Sequence, residues 1–256
     1  MDDQGDKLDK ENPAGRADGG PQRTASRSRW MAPLGAAALI SALVVTSSVL
    51  MTPGLLHVPL MKHGVPVSTQ AATDLDQVVQ WAVASGDAGH RPFVVVDKPH
   101  ARVLAYEASG RLRDSAPTLL GLARGDDSVP GIGNRKMADI RPEERITPAG
   151  RFEAELGKNL QGEDIVWVDY DAAVSMHRVR TANASERRLQ RLASPSIDDN
   201  RISYGCINLP PAFYEKVISP MVHSGKTVVY VLPDRKPLDQ VFALNTGEQQ
   251  AALSLH

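Results

Sequence analysis

Arg201-Ile202-Ser203-Tyr204-Gly205-Cys206-Ile207-Asn208-Leu209-Pro210 holds the only cysteine in a chain of 256 residues. One cysteine cannot close a disulfide within the chain, so Cys206 is an inert buried thiol, a reactive one, or a site of redox sensing or intermolecular bonding. Structural thiols usually sit among aliphatic residues. Here Ser203, Tyr204 and Asn208 supply polar groups on both sides, and Gly205 lets the chain turn sharply or a substrate backbone approach. That setting favours chemistry.

Working outward, the flanks are β-prone. Residues 165–170 and 173–179 read as strands with a turn over 169–172. Alternation puts Val174, Met176 and Arg178 on one face of the second strand and Ser175 and His177 on the other. After the cysteine, Pro210-Pro211 opens a helix carrying Phe213, Tyr214, Val217 and Ile218, which Pro220 is expected to end, leaving His223 in a loop. Residues 227–232 are a last strand, closed by Pro233. Upstream, 93–96 and 102–106 form a hairpin, Ser109-Gly110 a turn, and 117–122 a third strand. Thr147-Pro148-Ala149-Gly150 turns into a strand at 152–156 and reads as scaffold. The charged stretch 123–145 reads as a solvated loop, and Asp126-Asp127 finds no partners for a metal or carboxylate site. Residues 181–200 read as an insertion with a helical turn around 186–192.

The N-terminal part is different. Residues 1–30 are polar and expected to be disordered in the cytoplasm. Residues 31–51 carry no charge, and a membrane-crossing helix needs roughly 20 residues. Arg23, Arg27 and Arg29 precede that run, so it reads as a transmembrane anchor with the rest of the chain outside. A cleaved signal peptide is the rival, with a long leading region and no close small-residue cleavage site. Residues 52–90 are a linker with a short helix over 74–84, 91–233 the domain, and 234–256 a peripheral tail. A net charge of -1 gives no general attraction to nucleic acid. No phosphate-binding loop, zinc motif or other cofactor signature is present in the sequence.

A free thiol, with a pKa of about 8.5, is mostly protonated at neutral pH and needs a base. Of seven histidines only His177 lies on an expected strand of the domain; His100 and His223 are loop candidates. The alternative for His177 is a core histidine satisfied by hydrogen bonds.

Ser203, Gly205, Cys206, Ile207 and Asn208, with His177 upstream, resemble the signature of the L,D-transpeptidase catalytic domain family. Thr147-Pro148 with Gly150 and Phe152 is similar to a turn of that family, and the likeness spans roughly residues 92–233. Three features depart from the pattern: Tyr204 in place of a common histidine, Arg178 in place of a common glycine, and 25 residues between His177 and Ser203. The resemblance implies a mainly β, compact, sheet-rich domain with short helices, behind one transmembrane helix. It implies that Cys206 is the nucleophile and His177 the base, the latter held by a backbone carbonyl such as that of Arg178. The N–H groups of Gly205 and Cys206 would form the oxyanion hole, with Ser203 and Asn208 in support. The Arg178 or Arg180 side chain is a candidate partner for a substrate carboxylate. The implied substrate is the peptidoglycan stem peptide, joined into 3-3 cross-links through a thioester, with no cofactor or metal. Other outcomes on the same fold are an L,D-carboxypeptidase, a protein-anchoring enzyme, or a non-catalytic wall-binding scaffold. The implied location is the periplasm or cell-wall space, tethered to the membrane.

Overall fold

The computed structural model describes residues 72–244. The expected polar N-terminus, the 31–51 span and the chain after residue 244 lie outside them. Among the described residues no helix is long and apolar enough to cross a membrane.

Helix α1 (Asp74–Ser85) begins where Thr73 and Asp76 form a reciprocal capping box, and Gly86 ends it in the left-handed conformation (φ 67°). Ten strands follow: β1 (Phe93–Asp97), β2 (Arg102–Tyr106), β3 (Leu112–Pro117), β4 (Leu120–Gly121), β5 (Gly150–Lys158), β6 (Asp164–Asp169), β7 (Val174–Arg178), β8 (Arg201–Ser203), β9 (Ile207–Leu209) and β10 (Thr227–Val231). Eight make one mixed sheet in the order β3-β2-β1-β10-β5-β6-β7-β9, and β4 pairs with β8 in a second, two-stranded sheet. β1 with β10 and β7 with β9 are parallel.

The central strands are covered on both faces, which is why they read as continuous apolar runs. Val94 and Val96 of β1, with Val229 and Val231 of β10, join one cluster with Phe213, Tyr214 and Val217. Phe93, Val95, Val228 and Tyr230 join another, with Val78 and Trp81 of α1. That second cluster also takes in Leu238 and Phe242, so the described part of the segment expected as a peripheral tail, residues 234–244, contributes to the core. The helix expected in the linker likewise belongs to the domain.

Three further expectations are corrected. The third strand is β3, which ends at Pro117, followed by the short β4. Leu112, Arg113 and Asp114 are exposed on this edge strand, so it carries no apolar signal. The helix after Pro210 does not end at Pro220. It runs as α-helix (Pro211–Phe213), π-turn (Tyr214–Ile218) and α-helix (Ser219–His223), putting His223 at the helix end. Proline removes an interior N–H donor and crowds the preceding turn. The wider π-turn directly before it is how this helix accommodates the ring. The charged stretch 123–145 contains three 3-10 turns, and Asp126 and Glu144 in it are buried.

Candidate active site

Strands β7 and β9 build the site. Their parallel register sets Met176 beside Ile207 and His177 beside Asn208. Val174, Met176, Ile207 and Leu209 lie in the apolar cluster on one face. Alternation then sends Ser175, His177 and Asn208 to the opposite face. Cys206 stands just before β9 on that same face, its Sγ 3.8 Å from Ser175 Oγ and 3.7 Å from the Ala173 carbonyl. Cys206, Ser175, His177 and Asn208 are all buried.

His177 is held by its own strand. Its Nδ1 lies 2.8 Å from the Arg178 carbonyl oxygen. A carbonyl only accepts, so Nδ1 carries the proton and donates, and in the neutral ring Nε2 is the basic nitrogen.

The loop before Cys206 is closed by its own polar groups. Ser203 Oγ donates to the Cys206 carbonyl at 2.6 Å and accepts from the Gly205 N–H at 3.1 Å. The Gly205 N–H is therefore spent on Ser203, which corrects its expected oxyanion role and leaves the Cys206 N–H as the candidate donor. The need for glycine is also not substrate approach. Gly205 has φ 132°, and a Cβ there would lie 2.8 Å from the Ile146 carbonyl oxygen. The chain's own backbone fills that space.

Behind the loop, Thr147 Oγ1 donates to the Gly205 carbonyl at 2.8 Å and accepts from the Gly121 N–H at 2.9 Å. The Thr147 carbonyl accepts from Lys98 Nζ at 2.9 Å. Lys98 is fully buried and also pairs with Asp126 at 3.0 Å and Asp234 at 3.5 Å. Burial holds the Lys98 ammonium below its ordinary pKa. Arg201, two residues before Ser203, pairs with Asp234 at 2.7 Å and donates to the Lys98 carbonyl at 2.9 Å. A buried ionic cluster thus braces the cysteine loop from below. The sequence marked Thr147 as scaffold and Asp126 as solvated; neither suggested this brace, because its paired members are 26 to 136 residues apart.

The Arg178 guanidinium is engaged. It pairs with Asp164 at 2.9 Å and Glu215 at 3.0 Å and lies over the Tyr214 ring. Arg180 Nη1 donates to Gln161 Oε1 at 3.0 Å. A cleft of about 290 Å³ opens beside His177, lined also by Asp164, Arg178, Val179, Thr181 and Pro211. His100 is in a hairpin turn against Asp97 at 2.8 Å, and His223 Nδ1 lies 2.8 Å from the Ser219 carbonyl. Among the described residues no group of three or more His, Cys, Asp and Glu side chains is arranged to hold a metal ion.

No family model matches the chain, and no curated protein does. Solved structures do show likeness. The catalytic domain from the E. faecium L,D-transpeptidase is 18% identical, with a TM-score of 0.33, covering 56% of this chain and 98% of that one. LD transpeptidase LdtMt1, solved with imipenem, is 16% identical with a TM-score of 0.31, covering 55% of this chain and 58% of that one. The helical cell shape determining protein Pgp2 from Campylobacter jejuni is 19% identical with a TM-score of 0.32, covering 62% of this chain and 57% of that one. The likeness thus spans less than two thirds of the latter two chains.

Proposed function

We propose that this protein is a cysteine acyltransferase of the L,D-transpeptidase kind, with Cys206 as nucleophile and His177 as base. One observation carries the reading: the lone thiol and the histidine share the polar face of the β7–β9 pair, with the imidazole held through Nδ1 by the Arg178 carbonyl. A nucleophile, a base and a group that orients the base are the parts acyl transfer needs.

In this reading His177 Nε2 takes the thiol proton and Cys206 Sγ attacks the carbonyl of the third residue of a tetrapeptide stem. The Cys206 N–H steadies the charge that forms on that oxygen. The C–N bond breaks, the imidazolium gives its proton to the departing D-alanine amine, and a thioester remains. The amine of a second stem then attacks the thioester, which yields a 3-3 cross-link and returns the thiol. The cleft beside His177 is the proposed seat of a stem. Residues 31–51 are the proposed membrane anchor, placing the domain in the periplasm or cell-wall space.

The test is incubation of the full chain, in detergent, with disaccharide-tetrapeptide fragments, read by mass spectrometry. Loss of D-alanine with formation of dimers is the expected result. Loss of D-alanine without dimers makes water the acceptor and the enzyme a carboxypeptidase. Unchanged fragments, with Cys206 intact and reduced, overturn the reading.

A further inference from the structure

Segment 181–200 separates the histidine from the cysteine in sequence, yet it is anchored to the domain. Leu192 is buried with Leu119 and Val179. Asn183 Oδ1 accepts from the Ser185 N–H at 3.1 Å, starting the turn over Ala184–Glu186. Arg191 donates to the carbonyls of Glu186 and Asp199 at 2.9 and 3.2 Å. These ties fix the short helix α2 (Arg188–Leu192).

The helix carries Arg188 inward. Its side chain is only 6% exposed. Nη1 donates to Asn208 Oδ1 at 2.8 Å, and Nε pairs with Glu186. Asn208 is fully buried and stands beside His177 in the ladder. Its Nδ2 donates to the Cys206 carbonyl at 3.3 Å, the same oxygen that accepts from Ser203 Oγ.

A carboxamide can be turned either way, but a guanidinium has donors only. Arg188 therefore takes the oxygen end of Asn208, and the NH₂ end must face the Cys206 carbonyl. The reversed amide would set two oxygens against each other inside a buried site. We infer that Arg188 is a positioning residue of the Cys206 site. By fixing the orientation of Asn208 it holds the Cys206 peptide unit, and with it the thiol, beside His177. The insertion is thus the carrier of a site component. The inference rests on the reading of Cys206 as the reactive group.

The experiment measures alkylation of Cys206 in the full chain by neutral iodoacetamide, followed by mass, with melting temperature measured in parallel. Cys206 is the only cysteine, so every adduct reports on the site. Arg188→Gln offers both donor and acceptor and no longer selects one amide orientation. It is expected to slow alkylation at neutral pH by roughly ten- to a hundredfold, the upper figure being what a misplacement of about 1 Å can cost. Arg188→Lys, again donor-only, is expected to recover most of the rate. Arg188→Gln reacting at the wild-type rate overturns the inference. So does equal slowing of both variants in step with a lower melting temperature, which would make Arg188 a packing residue. If Arg188→Gln does not fold, Asn208→Asp decides. It keeps an acceptor for Arg188 but turns an oxygen toward the Cys206 carbonyl, and it should react at least as slowly as predicted for Arg188→Gln; a wild-type rate overturns the inference. Stem turnover is scored separately. Arg188-dependent thiol kinetics without turnover would remove the transpeptidase reading alone. Turnover with Arg188-independent kinetics would remove this inference alone.

Discussion

The sheet contains two parallel strand pairs, and they are used in opposite ways. In β1–β10, both faces are apolar: Val94, Val96, Val229 and Val231 on one side, Phe93, Val95, Val228 and Tyr230 on the other. In β7–β9, Val174, Met176, Ile207 and Leu209 pack into the same core, while Ser175, His177 and Asn208 lie on the opposite face next to Cys206. The difference comes from what covers the second face. Helix α1 and the segment around Leu238–Phe242 cover β1–β10. Over β7–β9 the polar face meets Arg188 and the His177 cleft instead. One face of a strand can be given to stability while its other face is left for chemistry, because side chains alternate at every residue.

Breaking the polar face should abolish turnover and spare the fold. Cys206→Ser should lower cross-linking of stem fragments by on the order of a thousandfold or more. Its melting curve should stay close to the wild type, because serine keeps a small hydrogen-bonding group facing the Ala173 carbonyl and Ser175 Oγ. Cross-linking retained by this variant would separate Cys206 from the chemistry.

His177→Ala comes next. Loss of a positioned base costs roughly a hundredfold to ten-thousandfold in rate. Alkylation of Cys206 should slow at neutral pH, while His100→Ala and His223→Ala leave the rate unchanged. A slowing in one of those two and none in His177→Ala would transfer the role.

The apolar face gives the converse. Met176, next to His177 in sequence, is fully buried on the core side. Met176→Ala should cost about 2–5 kcal/mol of stability by leaving a cavity. Below its melting temperature the alkylation rate per folded molecule should stay within a few-fold of wild type. A collapse of thiol reactivity in the folded state would show that the two faces are not separable.

The smallest effect concerns the loop that flanks the site. Glu144 is held at a pKa of about 2 by the Arg141 side chain, with the Arg141 N–H and Arg135 adding to it. Its folded pKa lies below the unfolded one. The unfolded state therefore binds more protons between about pH 4.5 and 2, and the stabilisation present above that window is lost as pH falls through it. Denaturant titrations should show a shallower acid loss of stability in Glu144→Gln than in wild type across that range. Parallel pH dependences would remove Glu144 as a contributor.

Much of this comparison is legible in the chain. The apolar runs 93–96 and 227–232 match β1 and β10, and alternation at 174–178 assigns His177 to the face opposite Met176. The edge strand β3 was illegible because its residues 112–114 are exposed and charged or isolated in pattern. The Pro220 stop failed because the π-turn before it relieves the clash that usually ends a helix. Asp126 looked solvated because its partners, Lys98 and the 234–236 backbone, lie 28 and about 110 residues away.

The sequence by itself determined the local terms: which residues alternate, where turns fall, and that one thiol sits in a polar, glycine-containing loop with a strand histidine upstream. Periodicity and turn chemistry are read within a few residues, so these survive without knowledge of the fold. Tertiary structure alone decided who completes the site. The parallel β7–β9 register sets His177 beside Asn208, helix α2 brings Arg188 to Asn208, and Thr147 reaches Gly205 across 58 residues of chain. Such contacts depend on how distant segments are brought together, and buried polar groups then take whichever partners the packing supplies, because leaving them unpaired costs more than any local preference.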